Sequence, residues 1–199
     1  MTHKEEVLAL PPSPWDHREE TDMPAWNSRG LRGSAFEERI NLTNEKLRDR
    51  GLALVQKIPT PITPIEMDKE HGHITLAYFD KKSTVDYVGV VQGVPVCFDA
   101  KESATDTFAL SNVHEHQVRF MDDFEKQDGV AFLLINFTGS GRLYYMRAKE
   151  LKVFWDRAQN GGRKSVRADE LDEGYFFGEG DGLVIPYLEM LQKDLSERE

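Results

Sequence analysis

Val130-Ala131-Phe132-Leu133-Leu134-Ile135-Asn136-Phe137 is a continuous apolar run of strand length. A run without polar alternation predicts a strand covered on both faces. Arg142-Leu143-Tyr144-Tyr145-Met146 is predicted to pair with it across Thr138-Gly139-Ser140-Gly141. Two valine-rich segments, 87–91 and 94–98, flank Gln92-Gly93 and predict a β-hairpin, with the glycine able to supply the positive φ of a tight turn. Phe36, Ile40, Thr43 and Leu47 recur at helical spacing and predict a helix from Ser34 to Arg50, stopped by Gly51. Further helices are predicted over 114–127, where Val113, Phe120 and Phe124 supply the apolar side, and over 148–159. Leu52-Ala53-Leu54-Val55 reads as a short strand. Residues 57–82 are less regular: Pro59, Pro61 and Pro64 interrupt pairing, and Ile74–Phe79 reads as a strand, so this region is expected to be an extended, two-stranded protrusion. The order of elements is α/β, with a mixed sheet, because its hairpins are antiparallel and a helix joins the later strands.

Composition adds bounds. At 199 residues the chain can bury one sizeable core. No apolar run approaches membrane-spanning length, and Met1-Thr2-His3-Lys4-Glu5-Glu6 is no signal peptide. Cys97 is the only cysteine, which excludes an intrachain disulfide and a cysteine metal cage, and a cytoplasmic location is expected. The net charge of −10 is unevenly spread. Residues 1–28 hold two basic and six acidic side chains, residues 168–199 two and ten, and the middle 21 and 19. The mildly basic centre permits a nucleic-acid face, because phosphates are met by local Lys and Arg clusters rather than by net charge. Residues 1–28, with Pro11, Pro12, Pro14 and Pro24, read as a flexible acidic arm; 29–190 form the folded domain; 191–199 read as an acidic tail.

The hairpin carries the chemistry. A two-residue loop pairs Val91 with Val94 and sets Asp86 opposite Asp99, with Lys101 two residues beyond on the same face. Directly opposed side chains lie about 4.5–5.5 Å apart at Cβ, and like charges there repel. Two such carboxylates share a proton or bind a cation, and Mg²⁺ takes carboxylate oxygens while keeping waters. A lysine beside them could orient a metal-bound water or stabilise transition-state charge. The parts suit metal-assisted phosphodiester hydrolysis. The alternative is three solvated charges at the end of a surface hairpin.

Other residues also carry two readings. Glu37 is the capping-box partner of Ser34, or a further carboxylate reaching the metal from the first helix. Asn160-Gly161-Gly162-Arg163-Lys164-Ser165 is a helix-ending turn, or an anion nest with Arg163 and Lys164 adding charge. Gln117 and Arg119 reach a substrate phosphate or are surface residues. His114 and His116 do not share a helix face and so make a poor metal pair. No nucleotide-binding loop or zinc spacing is present.

Taken in order, these segments resemble RecU-type Holliday junction resolvases, a branch of the PD-(D/E)xK nuclease superfamily. The resemblance runs from about Ser28 to Tyr187. It rests on Ser28-Arg29-Gly30, Phe36-Glu37-Glu38-Arg39-Ile40-Asn41-Leu42-Thr43-Asn44, Lys57-Ile58-Pro59-Thr60-Pro61, Thr84-Val85-Asp86-Tyr87, Phe98-Asp99-Ala100-Lys101-Glu102, His114-Glu115-His116-Gln117, Phe154-Trp155 and Gly161-Gly162-Arg163-Lys164-Ser165. It implies a restriction-endonuclease-like fold and a homodimer that cuts four-way DNA junctions symmetrically with Mg²⁺ or Mn²⁺ in recombination and repair, with a recombinase protein as a further partner. It implies that Asp86, Asp99 and Glu37 ligate metal, that Lys101 assists the attacking water, and that residues 59–82 form a stalk entering the junction. Arg29, Lys57, Gln117, Arg163 and Lys164 are the implied DNA contacts. The chain departs from the family in having Asp99 where Glu is frequent, extra residues between Arg29 and Phe36, and acidic ends. A restriction-type duplex nuclease of the same fold and a non-catalytic junction-binding or recombinase-regulating protein are the competing readings.

Overall fold

The computed structural model describes residues 35–79, 84–178 and 185–198. Its centre is a six-stranded mixed sheet in the order β1-β4-β5-β7-β8-β10. These strands are β1 (Leu54–Lys57), β4 (Tyr87–Val91), β5 (Val94–Ser103), β7 (Val130–Phe137), β8 (Arg142–Arg147) and β10 (Phe176–Phe177). Only β5 and β7 run parallel; the other neighbours are antiparallel. All eight residues of β7 are buried, as its unbroken apolar run predicts. The β4–β5 turn has positive φ at both Gln92 (47°) and Gly93 (91°), so Val91 pairs with Val94 in the expected register. Positive φ at both loop residues matches the twist of a tight hairpin. Gly89 is required on β4, because a Cβ there would meet the Leu54 carbonyl of β1.

Helices α1 (Ala35–Asp49), α2 (Glu115–Glu125), α3 (Ala148–Gln159) and α4 (Tyr187–Ser196) flank the sheet. One sheet face carries stacked aromatics: Tyr87 on Phe98 and Phe98 on Phe132, each at 4.7 Å, then Phe132 on Tyr145 at 4.3 Å. Tyr187 of α4 closes over Phe98 and Phe132, and the Tyr87 hydroxyl donates to Asn41 Oδ1 of α1. The alternate residues of β5, including Cys97, Asp99 and Lys101, therefore point to the other face. There Asp99 meets α2.

Two expectations shift, while the two-stranded protrusion is present. The strand after α1 begins two residues late, because Gly51 takes φ +66° and Leu52 N–H donates back to the Leu47 carbonyl, closing the helix first. β2 (Ile62–Asp68) and β3 (His73–Phe79) pair only with each other, with an irregularity just after Pro64, and nearly all their side chains are exposed. Finally, 191–198 is not a free acidic tail. Residues 191–196 belong to α4, where Leu191 and Asp194 are buried. Asp194 accepts from the Tyr145 hydroxyl and from Arg198, whose guanidinium also grips Glu125 of α2 through both carboxylate oxygens. β6 (Thr107–Ala109) and β9 (Ser165–Arg167) form a further small sheet that the sequence pattern does not indicate. The proposed N-cap Ser34 and the arm 1–28 lie outside the described residues.

Asp194 is fully buried and Arg198, itself partly exposed, is its cationic partner, so removing the guanidinium leaves a buried carboxylate uncompensated. Arg198→Ala is expected to destabilise the fold by about 2–4 kcal/mol, read in urea or thermal melts. A tail that did not pack would leave the midpoint unchanged.

Candidate active site

The β4–β5 backbone ladder ends at Tyr87 and Phe98. Beyond it the two aspartates continue the pairing with their side chains. Asp86 N–H donates to Asp99 Oδ1 at 2.7 Å, and Ala100 N–H donates to Asp86 Oδ2 at 3.1 Å. The opposition read from the hairpin register is thus present, and each carboxylate is anchored by a backbone amide from the other strand. Asp99 is fully buried, and its Oδ2 accepts from Lys101 Nζ at 2.6 Å and from Gln117 Nε2 at 2.5 Å.

One lysine faces two carboxylates, and the excess charge shows in Asp86. Burial first, and the Asp99 charge second, push its carboxyl up to about 6, against the pull of Lys101 and the Ala100 amide. A site of hard oxygen donors that resists its own ionisation suits a hard divalent cation, which restores the charge balance. Among the described residues no three His, Cys, Asp or Glu side chains form a metal-sized group. The donor set fits an ion that takes two carboxylates and keeps waters, not a closed protein cage.

Glu37 does not join the pair into such a group. Its Oε2 instead binds Lys57 Nζ at 3.1 Å. Lys57 faces Tyr87 across β1 and β4, so both lie on the aromatic face, opposite the face that carries Asp99. The two groups meet at one sheet end: Ile58 N–H donates to the Asp86 carbonyl, and the Tyr87 hydroxyl contacts the Glu37 carbonyl. Tyr87 is held well above the ordinary tyrosine range by burial, then by Glu37, Asp86 and Asp99.

The expected DNA contacts separate. Gln117 is no surface contact: it is 6% exposed, its Nε2 is spent on Asp99, and its Oε1 accepts from His114 N–H. The signal was present in the sequence, since Val113, Gln117 and Met121 recur at helical spacing and all three are buried. Arg163 is exposed but paired with Glu170 at 3.0 Å. Lys164 is exposed and lines a depression with Ser111 and Val113, on the segment entering α2. Lys57 remains partly exposed. Arg29 lies outside the described residues.

The family described as Recombination protein U, RecU, matches residues 31–193. The chain belongs to the RecU family. A RecU relative from Pediococcus pentosaceus, named Holliday junction resolvase RecU, is 40% identical over 169 residues, covering 82% of this chain and 84% of its own. One of the same name from Bacillus pumilus is 39% identical over 171 residues, covering 83% and 82%. Among solved structures, the Holliday junction resolvase Hjc from Archaeoglobus fulgidus aligns at TM-score 0.36 and 10% identity, over 59% of this chain and 78% of that one. No described helix is long and apolar enough to cross a membrane.

The raised carboxyl of this RecU member has a stability consequence. Asp86 is protonated more readily folded than unfolded, so its contribution is complete below about pH 4 and lost as pH rises through about 6. Without divalent ions, Asp86→Asn is expected to be more stable than wild type by about 1–3 kcal/mol at pH 8, the difference vanishing near pH 4. Thermal melts across that range check it; a pH-independent difference would contradict a carboxyl raised by burial and the Asp99 charge.

Proposed function

We propose that this protein is a Holliday junction resolvase, an endonuclease that hydrolyses phosphodiesters at four-way DNA junctions in recombination and repair. The observation carrying the reading is the Asp86–Asp99–Lys101 group at the end of the β4–β5 hairpin, in a chain whose curated relatives bear that name.

Asp86 and Asp99 would hold Mg²⁺ or Mn²⁺. When bound, the ion supplies Lewis-acid polarisation of the phosphate and lowers the pKa of a bound water. Lys101 stands at 2.6 Å from Asp99 and offers a fixed positive charge where negative charge develops on the phosphoryl oxygens. Its other ammonium protons are free to orient the attacking water. The backbone amides of Asp86 and Ala100 keep both carboxylates in place without moving side chains, so little reorganisation accompanies the reaction.

Lys57, with Glu37 holding its ammonium, and Lys164 are the proposed phosphate contacts, joined by Arg29 and, on release from Glu170, by Arg163. Glu37 acts here by orienting Lys57. The β2–β3 ribbon is the proposed stalk, presenting exposed Ile65, Met67, Leu76, Tyr78 and Phe79 to the open centre of a junction. A homodimer would set two such sites on a two-fold substrate and allow paired nicks. A recombinase is a further proposed partner, and the cytoplasm the proposed location.

A labelled four-way junction should be nicked symmetrically with Mg²⁺, not with EDTA, and far faster than linear duplex. Asp86→Ala should abolish cleavage, and Lys101→Ala should lower kcat by about 10²–10³, while both still bind the junction in EDTA. Equal cleavage of duplex would instead mark a duplex endonuclease. Binding without cleavage under any metal would mark a binding protein. Lys164→Ala should weaken junction binding for all sequences and reduce the slope of log K against log salt by about one; an unchanged slope removes Lys164 from the phosphate contacts.

A further inference from the structure

The acidic segment 169–173 lies against arginines. Asp169 pairs with Arg167, Glu170 with both Arg157 and Arg163, and Glu173 with Arg142. The side chains of Arg142, Arg163 and Arg167 are each at least 40% exposed. Ion pairs open to water in this way add little stability. Their larger effect is on the surface field, because each carboxylate cancels charge that an approaching phosphate would meet.

Glu170 occupies the best-built of these positions. Its Oε1 accepts from Arg157 Nη1 at 2.6 Å and its Oε2 from Arg163 Nη1 at 3.0 Å. One anion thus bridges two guanidiniums, which is how such groups take a phosphate. The turn after α3 makes the pair. Gly161 takes φ +84°, and Gly162 N–H donates back to the Arg157 carbonyl at 2.9 Å. A Cβ on Gly162 would meet that carbonyl at 2.8 Å, so glycine is required for Arg163 to fold back beside Arg157. Arg157 is fixed: its Nη2 donates to the Ser165 carbonyl at 2.8 Å, and its Cζ sits 5.0 Å from the centre of the Phe154 ring. Leu110 N–H donates to the Lys164 carbonyl, so the turn adjoins the segment that enters α2. The Arg167 amide first, and Arg157 second, hold the Glu170 carboxyl down at about 2, so it is an anion at any working pH.

We propose that Arg157 and Arg163 together form a site for one DNA backbone phosphate, and that Glu170 fills it in the free protein as an internal substitute that the phosphate displaces. The inference rests on the resolvase reading for its DNA, but not for the anion site itself. Arg157 is the fixed half of the site. Arg163 is the exposed half, able to turn from carboxylate to phosphate. Exchanging one anion for another leaves neither guanidinium unpaired. It also limits affinity, because the carboxylate must leave before the phosphate enters. Asp169 and Glu173 screen Arg167 and Arg142 in the same sense.

The test uses the full chain in EDTA. Glu170→Gln removes the charge but keeps an oxygen to accept from the Arg167 amide, so the turn is retained. It should bind a four-way junction and a linear duplex more tightly by the same factor, about two- to fivefold, the scale of one exposed ion pair. The factor is shared because the contact is to the backbone of an arm. The slope of log K against log salt should steepen by about one. Asp123→Asn, which makes the same change in net charge beside Lys126, should alter neither quantity. Adding Arg163→Gln to Glu170→Gln should cancel the gain. Inorganic phosphate, titrated into isotope-labelled protein, should shift the Arg157 and Arg163 Nε–H resonances of Glu170→Gln at concentrations that leave wild type unmoved. Thermal melts establish folding; if Glu170→Gln does not fold, Arg163→Gln in the wild-type chain carries the measurement, with weaker binding and a slope shallower by about one. Unchanged or weaker DNA binding by folded Glu170→Gln would overturn the proposal and leave Glu170 a brace between β9 and α3. A wild type and variant that bind no DNA would overturn the resolvase reading, while the phosphate titration would still decide the anion site.

Discussion

Two like charges facing each other across a hairpin end are the constraint around which the site is built. Asp86 and Asp99 occupy positions where the β4–β5 ladder would otherwise have continued, and the amides of Asp86 and Ala100 bond to carboxylates instead. The exchange fixes both side chains to the backbone. It also prevents them from separating to relieve their repulsion, which adds to burial, the larger cause, in making Asp86 resist ionisation. Lys101 and Gln117 bond directly to Asp99, and Lys101 offsets the charge of Asp86 only in part. The uncompensated share falls on Asp86, the member of the pair that retains access to solvent and so to a cation.

Holding that geometry requires strands that do not slip. A shift of one residue would send Asp99 to the aromatic face and Phe98 to the polar one. The stacked row Tyr87–Phe98–Phe132–Tyr145 opposes this, because each ring is fitted against its neighbours across strands β4, β5, β7 and β8. α1 and α4 cover the row, and the Tyr87 and Tyr187 hydroxyls bond to Asn41 and Asn44 of α1. Packing on one face of the sheet thereby sets the register that the chemistry on the other face uses.

This division explains what could be read from the sequence. Asp86 opposite Asp99 follows from a two-residue turn and a period of two, both local. β7 is legible because eight consecutive core residues leave no exposed face. Gln117 is a DNA contact by resemblance, yet its spacing with Val113 and Met121 puts it inside. Asp194 misled in the same way: acidic residues near the end read as a tail, yet Tyr187 and Leu191 recur on one helical face and Asp194 is buried beside them. The resemblance places Glu37 with the aspartates, whereas its carboxylate pairs with Lys57. The three-residue strands β6 and β9 are too short to show a period at all.

Gln117 and Asp194 share a physical logic. Each is a polar residue at a core position of a helix, and each is satisfied on both sides: Gln117 by Asp99 and His114, Asp194 by Tyr145 and Arg198. Leaving such a group unpaired is costly, so helix and partner must be placed together or not at all. The two lie at opposite ends of one mechanical unit. Arg198 ties α4 to Glu125 at the C-terminal end of α2, and Glu125 also accepts from the Ala131 amide of β7. Gln117 ties the N-terminal end of α2 to Asp99. α2 is thus pinned at one end to the core sheet and at the other to the Asp99 carboxylate.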